Sequence, residues 1–112
     1  MRTPLIAGNW KMHTTADEAL DLATAVKEGV RDLRGVEVVV CPPFPWLVPV
    51  REALRGSNVG LGAQNMHFES KGAYTGEVSP AMLVGLQSQP SFSQSVSLTS
   101  PIGRWTCRSW LH

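Results

Sequence analysis

Asn9 and Lys11 stand two residues apart at the end of a short apolar run, Leu5-Ile6-Ala7, with Trp10 between them. A side-chain amide offers both a donor and an acceptor, and an ammonium offers a fixed positive charge. Residues two apart on a strand project to the same side, and in a parallel α/β protein the carboxyl ends of the strands open onto the ligand-binding face. Ala7-Gly8-Asn9-Trp10-Lys11-Met12 is therefore expected to be a strand ending in a site, with Asn9 and Lys11 facing one substrate. The competing reading makes Lys11 a solvated loop lysine and Trp10 a core anchor, so the rest of the chain has to decide.

The elements that would position this pair follow in order. Thr15-Ala16-Asp17-Glu18 fits a capping box, with acids at the positive end of the helix dipole. Ala19, Leu22, Ala23, Val26, Val30 and Leu33 then recur at helical spacing, and Gly35 is placed to stop the helix in a left-handed conformation. Val36-Glu37-Val38-Val39-Val40-Cys41 is a β-branched run almost without alternation, as expected for a strand covered on both faces. Pro42-Pro43 ends it, and Pro45 opens a short second helix through Leu47, Val50 and Leu54 to Gly56. A third strand is expected over 59–64, where Gly60 and Gly62 suit close backbone approach or tight curvature. The stretch 65–78 is too polar and glycine-punctuated for core, and a loop of that length is functional or unstructured. Ser79-Pro80 caps and opens a third helix. Such alternation implies parallel strands joined by right-handed crossovers.

The 112 residues allow at most one domain, and an apolar content of 43% is that of an ordinary soluble globular protein. No stretch is long enough to span a membrane, and the apolar run after Met1-Arg2 breaks too early for a signal-peptide core, so a cytoplasmic location is expected. Cys41 and Cys107 share no metal-type spacing and read as reduced thiols. A net charge of +1 without a basic stripe argues against nucleic acid as a partner. That sum hides an asymmetry, because every acid lies at or before Glu77, while 87–112 holds two arginines and no acid. Within 87–112, Phe92, Val96 and Leu98 alternate as a strand would, but the serine and glutamine tract around them favours disorder. Trp105 and Trp110 crowd the terminus beside Cys107; a stacking platform for single-stranded nucleic acid and a chance sequence both fit, the second better because only two cations accompany them.

Four motifs in order resemble the triosephosphate isomerase family: Gly8-Asn9-Trp10-Lys11-Met12, Cys41-Pro42-Pro43-Phe44, Gly62-Ala63-Gln64-Asn65, and Gly72-Ala73-Tyr74-Thr75-Gly76-Glu77-Val78-Ser79. They look like the family's first three strand ends and its third loop. The resemblance runs over about 2–86 and stops there. It implies a (β/α)8 barrel, a homodimer, cytoplasmic glycolysis and gluconeogenesis, and interconversion of dihydroxyacetone phosphate and glyceraldehyde 3-phosphate without cofactor or metal.

The resemblance also implies roles. Asn9 and Lys11 would bind substrate, with Lys11 as the catalytic residue that holds the phosphate and offsets charge developing on the enediolate oxygen. Gln64, Thr75, Gly76 and Glu77 would be dimer contacts, the third loop reaching the partner subunit's site. Trp10 is expected to pack, and His13 and His67 to be surface loop histidines. The family's histidine electrophile lies in a Gly-His-Ser-Glu-Arg-Arg stretch on the fourth strand, and its glutamate base comes from later strands. His13, His67 and His112 sit in no such stretch, and no acid follows Glu77. The expectation is an incomplete TIM barrel: residues 1–86 supply its first three βα units, and 87–112 form an unrelated low-complexity tail. A typical barrel of this type has about 250 residues. A chain so truncated is expected to be inactive alone, or to act as a non-catalytic fragment pairing with an intact subunit through the third loop.

Overall fold

The computed structural model describes residues 4–87 and 95–97. Four strands form one parallel sheet in the order β1 (Leu5–Asn9), β2 (Glu37–Cys41), β3 (Val59–Ala63) and β4 (Ser95–Ser97). Helices α1 (Ala16–Gly29), α2 (Leu47–Ala53) and α3 (Pro80–Gln87) follow the first three strands in turn. This is the expected alternation of a partial TIM barrel, in which neighbours in sequence are neighbours in the sheet.

Local sequence explains the elements. Thr15 caps α1, its Oγ1 accepting from the Glu18 N–H at 3.4 Å and donating to Glu18 Oε1 at 3.1 Å. Helix α1 ends at Gly29 rather than near Leu33: the Arg31 and Leu33 N–H groups bond to Glu28 O and Val30 O in tight turns. Glycine disfavours helix interiors, so the apolar spacing ran past the true end. Gly35 does take a left-handed φ of 80°, inside the connection rather than at the helix end. A 3₁₀ turn at Phe44–Trp46 leads into α2, and Ser79 Oγ accepts from the Met82 N–H at 3.3 Å to start α3.

Period-two geometry gives the sheet two faces. Val38, Val40, Val59, Leu61 and Ala63 pack with Ala19 and Ala23 of α1, Leu47 and Val50 of α2, Leu54 just after it, and Leu83 of α3. The opposite face carries Ala7, Val39, Cys41, Gly60 and Gly62, set side by side by the register Ala7↔Val39 and Val39↔Gly60. The glycines of β3, Gly60 and Gly62, thus lie on the face away from the helices. Strand β3 is buried throughout, whereas β1 is largely exposed, with Ile6 59% accessible.

Within the serine tract, β4 pairs Ser95, Val96 and Ser97 with Leu61, Gly62 and Ala63. Backbone ladders need no distinctive side chains, and the alternation around Val96 was the one trace of it. The remaining expectations for 88–94 and 98–112, including Trp105, Cys107, Trp110 and His112, lie outside the described residues.

Candidate functional site

The carboxyl ends of β1, β2 and β3 meet in one hydrogen-bonded junction. Asn9 closes β1 opposite Cys41. Trp10 then turns inward, 9% accessible, and its N–H donates to Cys41 O at 3.1 Å. Burying that indole takes the chain off the strand before Lys11, which has a left-handed φ of 55°. Asn9 and Lys11 are therefore not two successive positions on one strand face, as the spacing alone implied. They are instead joined directly: the Lys11 N–H donates to Asn9 Oδ1 at 2.9 Å, an Asx turn that stabilises the strained lysine backbone. Both residues are exposed, and among the described residues the ion pairs are Glu28–Arg31, Arg51–Glu52 and Glu52–Arg55, so the Lys11 charge is left uncancelled.

Gln64, just past β3, locks the junction. Its Nε2 donates to Lys11 O at 2.8 Å and to Cys41 O at 2.9 Å, so one amide spans three strand ends. Sequence reasoning gave Gln64 only an interface role and missed this tie; an amide directly after a buried strand is the signal that marks it. Trp46 was also missed. Its Nε1 donates to Thr14 O at 3.2 Å, fixing the far side of the Lys11 turn, where Thr14 has a φ of 87°. Cys41 has no nucleophilic role in this arrangement: it is fully buried, and desolvation pushes its thiol up to about 12. Among the described residues no group of three or more histidines, cysteines and acids could hold a metal ion.

The loop over 65–78 has defined structure of its own. The His67 N–H donates to Val78 O at 2.8 Å, closing its base, and the His67 ring packs on Tyr74 and Phe68 with centroids 4.1 and 4.6 Å away. His67 is thus half-buried, not the surface histidine expected. The Glu77 N–H donates to Tyr74 O at 3.0 Å around Gly76, whose φ of 87° suits the third position of a type II turn. Thr75, Gly76 and Glu77 form an exposed tip, while Gln64 points back to the strand ends. His13 is exposed on the loop that follows Lys11.

Comparison with known proteins bears on this geometry. The family model described as triosephosphate isomerase matches residues 4–90. The chain belongs to the triosephosphate isomerase family. It is 63% identical over 83 residues to the triosephosphate isomerase of Carboxydothermus hydrogenoformans, and 59% identical over 83 residues to that of Clostridium perfringens strain SM101. Each match covers 74% of this chain and 33% of the relative, so the chain spans about a third of the length of these family members. The crystal structure of triosephosphate isomerase from Bartonella henselae superposes with a TM-score of 0.70 at 37% identity, covering 84% of this chain and 37% of that one. The parallel strands and their helices are therefore a portion of a TIM barrel, and the Lys11 junction lies at its carboxyl-terminal face.

Proposed function

We propose that this chain carries the substrate-anchoring part of a triose phosphate isomerase site, with Lys11 and Asn9 as the substrate-binding residues. The uncancelled charge of Lys11, held in place by the Asn9 turn and the Gln64 tie, is the observation that supports this most directly. Lys11 Nζ would pair with the substrate phosphate and stabilise oxyanion charge as a proton leaves the adjacent carbon. The Asn9 amide would keep its N–H groups for the substrate, since its oxygen already serves Lys11. Glycolysis and gluconeogenesis in the cytoplasm are the setting that goes with this reading.

The proton-abstracting step needs a positioned base, which contributes about 10²–10⁴-fold. None of the three histidines sits in the family's fourth-strand motif, and no acid follows Glu77. We therefore propose that the 112-residue chain binds dihydroxyacetone phosphate without isomerising it. The test measures both properties on the purified chain and on Lys11→Met. The expected result is no turnover above background and binding weakened at least about tenfold in the variant, as for a lost charge-assisted contact. Turnover by the chain that vanishes in the variant would overturn the inactivity, and unchanged binding would remove Lys11 from the site.

A second reading draws on the preshaped, exposed tip at Thr75, Gly76 and Glu77: the chain pairs with an intact subunit through this loop, Gln64 supporting the contact from behind. Sedimentation with the purified Carboxydothermus hydrogenoformans enzyme tests it. A mixed species lost on deleting residues 72–77 is expected, and two unchanged boundaries would exclude it.

A further inference from the structure

At the opposite end of the sheet, between the end of α1 and the turn that enters β3, lies a half-open cleft of about 400 Å³. Five-residue β3 separates it from the Lys11 junction by about 17 Å at 3.3 Å per residue. Its α1 side is formed by Lys27, Glu28, Arg31 and Arg34, and its other side by Gly56, Ser57 and Asn58. Three cations and one carboxylate thus face a space of the size that takes a small ligand, and no apolar side chain lines it.

The disposition of these cations is the informative part. A helix carboxyl terminus favours a cation in its last turn, which accounts for Lys27 alone; Arg31 and Arg34 lie beyond Gly29, outside the helix. Lys27 Nζ donates to Arg55 O at 2.9 Å, and Arg34 NH1 donates to Arg31 O and Leu33 O at 3.2 and 3.0 Å. Carbonyl oxygens fix where these two groups sit without cancelling their charge. Among the described residues, Arg31 alone of the three meets a carboxylate, Glu28 at 3.3 Å, and both partners are more than half exposed, so that pair is weak and exchangeable.

We propose that this cleft is a binding site for a small soluble anion bearing phosphate groups, with Arg31 and Arg34 as its guanidinium forks and Lys27 as a point charge on the same side. The turn Gly56-Ser57-Asn58 closes the site; Ser57 is committed to the turn, its Oγ donating to Leu54 O at 2.6 Å and accepting from the Val59 N–H at 3.2 Å. Both sides of the cleft lie within residues 27–58, so the site draws on no residue of β3 or of any later element.

Inorganic pyrophosphate is the probe, added to the full chain at low micromolar protein and constant ionic strength. Equilibrium dialysis measures affinity, and hydrogen exchange by mass spectrometry locates the contact. The expected result is saturable binding with slowed exchange around 55–58, retained in Lys11→Met and weakened at least about tenfold in Arg31→Gln/Arg34→Gln. Binding that disappears in Lys11→Met, binding indifferent to the arginines, or equal protection by sulfate would each overturn the proposal. Should the double variant fail to fold, the unaltered chain still decides, because protection around 9–13 in place of 55–58 assigns the ion to the other end of the sheet.

Discussion

The side-chain amide of Gln64 reaches the main-chain carbonyl of Lys11 across 2.8 Å, joining residues 53 positions apart. The lysine ammonium is aimed by its backbone, and that backbone is held from the end of β3, across the intervening β2. Gln64→Leu should cost about 1–2 kcal/mol, the usual worth of hydrogen bonds lost to partly buried carbonyls. Gln64→Glu should cost more, because it turns acceptor oxygens toward the carbonyls of Lys11 and Cys41. Urea unfolding of both variants checks the order; equal or negligible losses would show that the tie carries little energy.

Cys41 makes stability fall in alkali. Its thiol goes from the ordinary 9.0 to about 12 on folding because burial disfavours the thiolate. Below pH 9 both states keep the proton and the thiol adds no pH dependence. Between pH 9 and 12 the unfolded chain loses a proton that the folded chain retains, so unfolding becomes progressively easier, by at most about 4 kcal/mol. Cys41→Ala should flatten the decline over that window when stability is followed against pH. Parallel curves would mean that other groups cause it.

The two loop glycines should differ in their tolerance of a methyl group. At Gly72, with φ of 151°, a Cβ would lie 2.6 Å from the Tyr74 ring, whereas at Gly76, with φ of 87°, it meets nothing within 4 Å. Gly76→Ala should cost about 1 kcal/mol of backbone strain. Gly72→Ala adds a clash that must shift the Tyr74 ring from its place beside His67, so its loss should be larger and the His67 ring resonances should move. Resonances unchanged in Gly72→Ala would show that the ring pair is not what holds the loop.

Thr15→Ala removes the hydroxyl that caps α1 and should cost about 1 kcal/mol. The loss should come with faster amide exchange confined to the first turn; uniform exchange along α1 would point to a packing defect instead.

The parts of this fold that local chemistry controls were legible before any coordinates. The Thr15 cap, the Pro42 stop, the Ser79-Pro80 start and the glycines of β3 each act within a few residues, so each can be read where it stands. What escaped depends on distant partners. Lys11 leaves the strand because Trp10 must be buried against residues far along the chain, and Gln64 declares its role only once three strand ends converge. Strand β4 exists through pairing with Leu61, Gly62 and Ala63, of which the alternation around Val96 was the one sign in the serine tract. The cationic cleft was illegible for a related reason: Lys27 and Arg34 look like solvated charges until the turn before β3 is laid across from them.

The order of the sheet has a consequence for how the molecule is made. Each described strand lies beside the one that precedes it in the chain, as when Leu5 meets Glu37 or Val38 meets Val59. No described strand is inserted between two that were synthesised earlier, so the sheet can lengthen at one edge as the polypeptide leaves the ribosome, each helix settling over the pair just formed. Domains that grow in this vectorial manner pay loop closure in small instalments, strand by strand. The exposed β1, the earliest in the chain of the described strands, then stands as the edge from which the others are added.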